Sequence, residues 1–472
     1  MRTEAVLDSV CRSVDLLIER ADEHGGLFPS VLDRFSGDRP DAMPPAIAGQ
    51  RDGDRAYGGS NLIHDEAALK TLYALSCALG RPDYGTAADR YLHRFATHCT
   101  DTPSGLFPWG EHAFWDLERD RIGNSRHLRN PADPHGAIHD HLRQAPLWLW
   151  QKLQHFNPQC VQQFAQGLDG HWTEGDGWEY IRHAHIEEVR RHGRGARSCD
   201  FPRHGGFYIF DWAFAHAHGG DGRWIEQIER MLNYWWPLRD GRNLLLIESR
   251  SPVDDQHFYD TNAPGQTLSL AISLLESAPL LEDTHRALAA TMRQRAAAYI
   301  DGFFQAPHDL DAGQFIILSR RADNAVAQTM PVWGSVYGVW PASYVALSCL
   351  CGYRLTDDAR LLEWAEAVGR AYAQEALPQN VAVPAMDAGL GLGLLAELYA
   401  ISRDKNWLEA GLTLAESLIA CYFDAVLPRG AAGIDWYDAQ MGPSFLLHGL
   451  ARIALLSSEG TECPLQADYT AR

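Results

Sequence analysis

The chain repeats one pattern along most of its 472 residues, in which a helix with a charged face alternates with a helix that is apolar on nearly all sides. A helix that is apolar all round must be buried on every side. The chain therefore needs an inner and an outer layer of helices. The apolar segments begin near residues 61, 137, 205, 262, 335, 388 and 440, and the amphipathic segments cover 4–23, 84–98, 158–167, 222–237, 284–303, 358–374 and 405–422.

Helical hairpins satisfy this requirement when they close into a ring, with the apolar helices inside and the amphipathic helices outside. We therefore predict an all-α fold, an (α/α) toroid or barrel of six or seven helical hairpins, with seven favoured. The ring would form one catalytic domain over 1–472, with 459–472 as a peripheral C-terminal tail. Short strands are expected at 243–248 and 314–319. An open helical solenoid is the alternative, because closure cannot be read from a sequence.

The charge of the chain is strongly negative, because 41 Lys and Arg residues stand against 61 Asp and Glu residues, for a net charge of −20. A nucleic-acid site needs a basic surface, so we expect no nucleic-acid partner. No segment approaches the ~20 apolar residues of a membrane span, and the N-terminal segment reads as an amphipathic helix. The nine cysteines show neither zinc nor disulfide spacing. These features lead us to expect a cytoplasmic protein without a membrane partner.

Polar and aromatic residues cluster where the chain enters the predicted inner helices. In a toroid these loops gather at one end of the ring, so their side chains would line one pocket. Aromatic rings mixed with carboxylates and amides suit a sugar, because rings cover its C–H faces while polar groups bind its hydroxyls. A place in the core is the alternative for any single tryptophan. The residues predicted to bind a carbohydrate are Tyr57, Asn61, Trp109, His112, Trp115, His139, His257, Tyr259, Trp333, Asp435 and Trp436.

Two segments supply candidate acids. In 107–116, Glu111 and Asp116 stand among two tryptophans. A carboxyl group against indole rings has a raised pKa, because burial disfavours its charged form. Either residue could instead cap the next helix. The second segment, 135–141, carries Asp140 between two histidines, and one or two of these three side chains can face the pocket.

Arg203 and His204 precede two glycines at the start of another inner helix. Glycines let the backbone approach a ligand closely, and a guanidinium group can hold a carboxylate through two parallel hydrogen bonds. In a chain with 61 acidic residues, an ordinary ion pair is the alternative role for this arginine. Within a sugar site, Arg203 predicts a substrate that carries a carboxylate, which is a uronic acid.

Four motifs in this order resemble helical-toroid enzymes that process uronic acids: YGGSNL at 57–62, GLFPWGEHAFWD at 105–116, HDHL at 139–142 and PRHGGFYIFDW at 202–212. The chain is similar to the pectate lyases of polysaccharide lyase family 2 and to the β-glucuronidases of glycoside hydrolase family 154. The lyase resemblance implies Arg203 as the base, and His112, Asp140 and His204 as ligands of Mn²⁺ or a similar divalent ion. The chain departs from that pattern at Asp140, where glutamate is expected, and at 171–198, which looks like an insertion. The hydrolase resemblance implies no metal and a pair of carboxyl groups.

Between the two, the sequence favours a β-glucuronidase-like hydrolase that releases a uronic acid from short oligosaccharides or glycosides. An acidic chain without a recognisable export signal suits small imported substrates better than a polymer of galacturonate. Its catalytic residues would come from Glu111, Asp116, Asp140, Arg203 and His204, without a cofactor. A metal-dependent uronate lyase is the first alternative, and a non-catalytic helical-repeat binding protein is the second. The expected partner is a uronic-acid-containing carbohydrate, and a homo-oligomer is possible.

Overall fold

The computed structural model describes residues 2–110, 112–124, 139–141, 145–174, 180, 182–191, 193, 199–219, 222–249, 260–335, 339–458 and 465. Within these ranges the chain forms fourteen α-helices, joined by short strands and loops. The helices are α1 (Arg2–Asp22), α2 (Leu62–Leu79), α3 (Pro82–Arg94), α4 (Leu147–Phe156), α5 (Pro158–Gly167), α6 (Pro202–Gly219), α7 (Arg223–Trp235), α8 (Pro264–Leu281), α9 (Arg286–Gln305), α10 (Ala342–Thr356), α11 (Ala359–Gln374), α12 (Ala385–Ser402), α13 (Lys405–Tyr422) and α14 (Pro443–Ser457).

Six of these helices are buried along most of their length and form an inner wall: α2, α6, α8, α10, α12 and α14. Around the wall, α6 packs on α8, α8 on α10, α10 on α12, α12 on α14, and α14 on α2. Helices α3, α4 and α5 continue from α2 to α6 and complete the circuit. The predicted (α/α) toroid is therefore confirmed.

Each inner helix packs against one amphipathic outer helix, which shields it from solvent. The pairs are α2 with α3, α6 with α7, α8 with α9, α10 with α11, α12 with α13, and α14 with α1. Helix α7 shows how the sequence achieves this, because Trp224, Ile228 and Leu232 recur every four residues and are all buried. That spacing puts apolar side chains on the face toward the ring and leaves charged residues on the opposite face.

The favoured count of seven hairpins is wrong for the described residues, which contain six buried inner helices. The predicted seventh inner helix near residue 137 is replaced by strand β5 (His139–His141), which pairs antiparallel with β6 (His183–His185). The next helix, α4, begins only at Leu147, after Pro146 in an extended conformation. A strand whose partner lies more than forty residues away leaves no local periodicity by which to predict it.

The other strands stand at the ends of the inner helices. Four inner helices, α2, α6, α8 and α14, begin within a few residues of a strand, which fixes the loop that enters each of them. The predicted strand at 314–319 is confirmed. Of the predicted strand at 243–248, only the last residue lies in a strand. The pairs are β1 (Val31–Asp33) with β12 (Trp436–Asp438), β2 (Gly59–Ser60) with β3 (Phe114–Asp116), β3 with β4 (Arg121–Gly123), β7 (Cys199–Asp200) with β8 (Glu248–Ser249), and β10 (Ile316–Arg320) with both β9 (Thr261–Asn262) and β11 (Val326–Thr329).

One hydrophobic cluster links the helices from Val6 to Leu465. Leu465 is the single described residue of the tail predicted to be peripheral, and its side chain is buried in this cluster. Among the described helices, α12 alone has the length and mean hydropathy (1.2) of a membrane span. It lies in the inner wall, and 72% of that segment is buried within the protein.

Candidate functional site

A cavity of about 410 Å³ opens at the end of the ring where the inner helices begin. All six inner helices contribute first-turn residues to its wall, so the entrance loops do converge as the repeat predicts. These residues are Ile63 and His64 of α2, Arg203 of α6, Gly265 and Gln266 of α8, Tyr344 of α10, Met386 of α12 and Phe445 of α14.

The convergence of six helix N-termini gives the cavity a favourable potential for negative charge. The amino end of each helix carries a partial positive charge, together with backbone N–H groups that lack an intrahelical acceptor. This arrangement favours a carboxylate or another anion over a neutral ligand.

Two guanidinium groups in the wall stand against aromatic rings. The Arg203 guanidinium carbon lies 4.7 Å from the ring centre of Trp340 and 5.7 Å from that of Phe201. The guanidinium carbon of Arg182 lies 5.4 Å from the same Phe201 ring. Trp340 in turn stacks on Tyr344 with ring centres 4.8 Å apart. The result is a continuous wall in which cations and aromatic rings support one another.

The ionisable side chains on the described part of the wall are all basic in type, since its residues include Arg182, Arg203 and His64 but no Asp or Glu. Uncharged hydrogen-bonding groups come from a separate set, Gln50, Gln266, Gln328, Gln440 and Ser335. The apolar part of the wall comprises Ile47, Ile63, Ile247, Ile317, Leu318, Met330, Val339, Met386, Leu390, Met441 and Phe445. Aromatic, cationic and amide groups together are suited to an anionic sugar.

A buried carboxylate lies directly behind this wall. Asp387, in the first turn of α12, accepts hydrogen bonds from the Ser335 hydroxyl at 2.6 Å and from the Ser335 backbone N–H at 2.7 Å. Burial raises the pKa of Asp387 to about 6, and the hydrogen bonds from Ser335 oppose that shift. The carboxyl group therefore changes its charge near neutral pH.

The predicted aromatic residues of segment 107–116 belong to the core. Trp109 is fully buried and contacts the rings of Phe107, Trp150 and Phe164. Trp115 is also buried, and its indole N–H donates to Asp120 at 2.8 Å. Both tryptophans therefore have a place in the core, which was the alternative to a role in binding. They pack within the wall of the ring between α2 and α6.

Two predicted binding residues hold entrance loops in place. The Asn61 side chain donates to the Gly110 carbonyl at 2.7 Å and accepts from the Gly110 N–H at 3.1 Å. Tyr57 donates its hydroxyl to the Pro40 carbonyl at 2.6 Å. Asp116 likewise organises a turn, because it accepts from two backbone N–H groups and pairs with Arg119 at 2.9 Å. Asp116 therefore holds the turn between β3 and β4 and does not cap a helix.

The remaining aromatic and acidic predictions lie outside the cavity wall. Trp333 packs edge-on against Tyr372, 4.7 Å away, and its indole N–H donates to the Glu375 carbonyl. Asp435 is exposed and forms ion pairs with two arginines. Trp436 is half-buried in β12 beside a small apolar cluster.

Two of the residues implied as metal ligands, His112 and His204, have described side chains. His204 is fully buried among the rings of Tyr180, Phe201 and Phe207, although the adjacent Arg203 reaches the cavity. His112 pairs through Nδ1 with Asp54 at 2.9 Å. No three His, Cys, Asp or Glu side chains form a metal-binding group in the part of the chain that the structure describes.

Five predicted site residues cannot be placed by their side chains. Glu111, His257 and Tyr259 lie outside the described residues. For Asp140 the structure gives only its backbone, which pairs with Ala184 across the β5–β6 ribbon. His139, in the same strand, is paired with His185 in the same way.

Sequence reasoning missed another Arg-His pair that reaches the cavity, Arg182 and His183. Arg182 lines the cavity, and the His183 ring lies 4.7 Å from that of His112. The dipeptide itself was the available signal, but it occurs in the stretch 171–198, which was interpreted as an insertion. Trp340, which supports Arg203, was missed because nothing in the sequence indicates that these residues meet.

A family model described as periplasmic pectate lyase matches residues 42–192, which is less than half of the chain. This match supports the resemblance to pectate lyases over those residues, and it includes Arg182 and His183 but not Arg203 and His204. Glycoside hydrolase family 154 receives no such support. The expectation of a cytoplasmic location is wrong, because the matching family is described as periplasmic. None of the curated proteins matches the sequence.

Solved structures with a similar course of the chain include a D-mannose isomerase, at 10% identity and TM-score 0.48, covering 77% of this chain and 95% of that one. A cellobiose 2-epimerase from Bacillus thermoamylovorans has 9% identity and TM-score 0.46, covering 96% and 98%. A glycoside hydrolase family 76 mannosidase from Bacteroides thetaiotaomicron has 12% identity and TM-score 0.43, covering 97% and 100%. At these scores they carry no argument about the reaction of this chain.

Proposed function

We propose that this protein is a carbohydrate-active enzyme that cleaves a uronic-acid-containing sugar by β-elimination. The observation that carries the proposal is the pair of guanidinium groups, Arg182 and Arg203, which both lie against the Phe201 ring in a cavity whose described wall has no carboxylate. Most glycosidase families hydrolyse their substrate with a pair of carboxyl groups. Elimination from a uronate instead requires a cation that stabilises the negative charge as it develops and a base that takes the proton, and the lyase resemblance implies an arginine as that base.

Arg203 is assigned to the substrate carboxylate. Its guanidinium is planar and stacked on Trp340, so its fork is held ready for two parallel hydrogen bonds. The N-termini of the inner helices add to the same potential. As the proton on the carbon next to the carboxylate leaves, negative charge spreads onto the carboxylate oxygens, and these groups stabilise it.

Arg182 is assigned to proton abstraction, because it belongs to an Arg-His pair inside the pectate-lyase match and lines the cavity. As the base, a guanidine nitrogen of Arg182 takes the proton from C5 and becomes a guanidinium cation, the C–H electron pair forms the C4=C5 double bond, and the C4–O bond breaks. His64, also in the wall, is assigned to return a proton to the leaving oxygen. The products are an unsaturated uronate and a sugar with a free hydroxyl.

A divalent ion would neutralise the substrate carboxylate further, as the lyase resemblance implies. The imidazoles of His112 and His183 are suited to such an ion, and Asp54 fixes the orientation of the His112 ring. The described residues supply no third ligand beside them. The steps above therefore depend only on side chains of the cavity.

One experiment separates elimination from hydrolysis. The protein is incubated with oligogalacturonate and with a β-glucuronide, and the ultraviolet absorbance of the unsaturated uronate is followed while free uronic acid is measured. Elimination predicts a rise in absorbance that is abolished in Arg182→Ala. Free uronic acid without absorbance would contradict elimination, and lack of action on either compound would contradict the proposed substrate class.

Hydrolysis stays as a second candidate because Asp387, whose pKa is raised to about 6 by burial, is hydrogen-bonded to Ser335 of the cavity wall and would supply a proton through that hydroxyl rather than by direct contact. Glu111, predicted as the acid from its sequence context, would then be its partner. The hydrolase predicts that Glu111→Gln loses far more activity on a disaccharide than on an aryl glucuronide, because a phenol of low pKa needs little protonation as it leaves. Equal losses on both substrates would argue against this role.

A further inference from the structure

We propose that Ser335 and Asp387 form a substrate-positioning pair, in which Asp387 sets the Ser335 hydroxyl to accept a hydrogen bond from a sugar hydroxyl in the cavity. This inference rests on the proposed function, since it assigns a hydrogen-bonding role to one point of the same wall. Asp387 itself is fully buried and does not reach the substrate, so it acts through Ser335.

The hydrogen-bond geometry fixes the direction of the Ser335 hydroxyl. A serine hydroxyl has one proton and two lone pairs. The proton is donated to Oδ1 of Asp387 at 2.6 Å, while the Ser335 backbone N–H holds Oδ2 at 2.7 Å. With its only proton committed to the carboxylate, the hydroxyl presents lone pairs to the cavity. It therefore favours a ligand that donates, as a sugar hydroxyl does, over a ligand that only accepts.

The charge of Asp387 depends on its hydrogen bonds with Ser335 and the backbone, because its ionisable neighbours are uncharged. The ionisable groups that interact with it electrostatically are Tyr372 of α11 and Tyr422 of α13, and burial raises the pKa of each tyrosine well above its usual range. Both tyrosines are therefore neutral near pH 7. In the described part of the chain, no Lys or Arg forms an ion pair with Asp387, so the hydrogen bonds from the backbone and from Ser335 are the main groups that stabilise its charge.

Protonation of Asp387 removes the preference of the Ser335 hydroxyl for a ligand that donates a hydrogen bond. A protonated carboxyl group can donate to the serine oxygen, and the hydroxyl proton is then released to point elsewhere. Since burial places the pKa of Asp387 at about 6, the change falls between pH 5 and 7. Substrate binding should therefore weaken as pH falls through this range, independently of the residues that carry out the bond cleavage.

The test measures KM and kcat from pH 5 to 8 for the uronide that the wild-type protein cleaves, using Ser335→Ala and Asp387→Asn. Loss of one neutral hydrogen bond should raise KM about two- to tenfold at pH 7.5, with kcat changed much less. Wild-type KM should rise as pH falls through 6, and both variants should lose this pH dependence. The matched control is Ser343→Ala, which removes a buried serine hydroxyl bonded to Tyr372 outside the cavity wall, and it should keep the wild-type profile.

A substrate that lacks one hydroxyl group completes the test. If Ser335 accepts from that hydroxyl, Ser335→Ala and wild type should have similar KM values for the deoxy compound. The inference would be overturned if Ser335→Ala had the same KM as the wild type, or if KM depended on pH in both variants as it does in the wild type. The proposed function would stand in either case. A wild-type protein that cleaves no uronide would instead refute the proposed function. If Ser335→Ala fails to fold, Asp387→Asn decides the test alone. A raised KM that no longer depends on pH would support the inference, and the wild-type dependence of KM on pH would overturn it.

Discussion

The guanidinium carbon of Arg203 lies 4.7 Å from the centre of the Trp340 ring, in the wall of the cavity at the mouth of the toroid. The two residues come from α6 and from the residues just before α10, so the contact joins two sides of the cavity. A planar cation held on an indole face keeps a fixed orientation, which an ammonium group on a flexible chain does not.

Arg203→Lys should therefore weaken the reaction although it keeps the charge. We expect kcat/KM on a uronide to fall about tenfold to a hundredfold, since a bidentate contact to a carboxylate contributes on the order of 1–3 kcal/mol. Trp340→Leu should cause a smaller loss in the same direction. Steady-state kinetics on the same uronide check both changes, and near-normal activity in Arg203→Lys would remove this residue from the site.

Arg182→Lys tests the division of labour between the two arginines. If Arg182 abstracts the proton and Arg203 holds the carboxylate, Arg182→Lys should lower kcat by about 10²–10⁴-fold with little change in KM. Arg203→Lys should instead raise KM as well. The absorbance of the unsaturated product is the measurement. The same KM and kcat pattern in both variants would show that the two arginines do not have separate roles.

The repeat pattern was sufficient to predict the fold because burial governs it. Helices such as α12, apolar on almost every side, have no stable place except an inner wall, and α13 supplies the amphipathic cover. The count of hairpins failed at one place only, where β5 pairs with β6 over a long sequence separation. Such pairing depends on partners that a local pattern cannot show.

The cavity lies at the end of the ring where the sequence predicted a pocket, but Arg203 is the only predicted residue in its described wall. Arg203 reaches the cavity, whereas Trp109 and His204, which look equally suited to a ligand, are buried in the core. A tryptophan near charged residues has the same sequence signature in a core as in a binding site. The direction in which each side chain points depends on packing between α2, α5 and α6, which the sequence does not reveal.

Trp109 provides a contrast between a core position and the cavity wall. It is fully buried against Phe107, Trp150 and Phe164, so Trp109→Ala leaves a large void. We expect a loss of about 3–5 kcal/mol in the free energy of unfolding. Trp340→Ala should cost much less stability and affect activity more. Chemical denaturation of both variants is the measurement, and a stable, inactive Trp109→Ala would contradict its assignment to the core.

Asp65 links the stability of the inner wall to pH. It is fully buried in α2, accepts a hydrogen bond from the Tyr91 hydroxyl at 2.8 Å, and burial raises its pKa to about 8. In the unfolded chain its pKa is near 4. The folded state therefore binds the proton more tightly, and its contribution to stability is complete below pH 4 and is lost progressively as pH rises to 8.

The expected slope between pH 5 and 7.5 is on the order of 1 kcal/mol per pH unit for this one group, which is the linkage value for one proton. Asp65→Asn keeps the shape of the side chain but cannot ionise, so the difference between its free energy of unfolding and that of the wild type should change with pH by that slope. The variant should gain relative stability as pH rises. Tyr91→Phe, which removes the hydroxyl but leaves the carboxyl group buried, should retain the wild-type slope. Urea denaturation at several pH values measures all three, and a difference that stays constant with pH would show that Asp65 ionises equally in the folded and unfolded states.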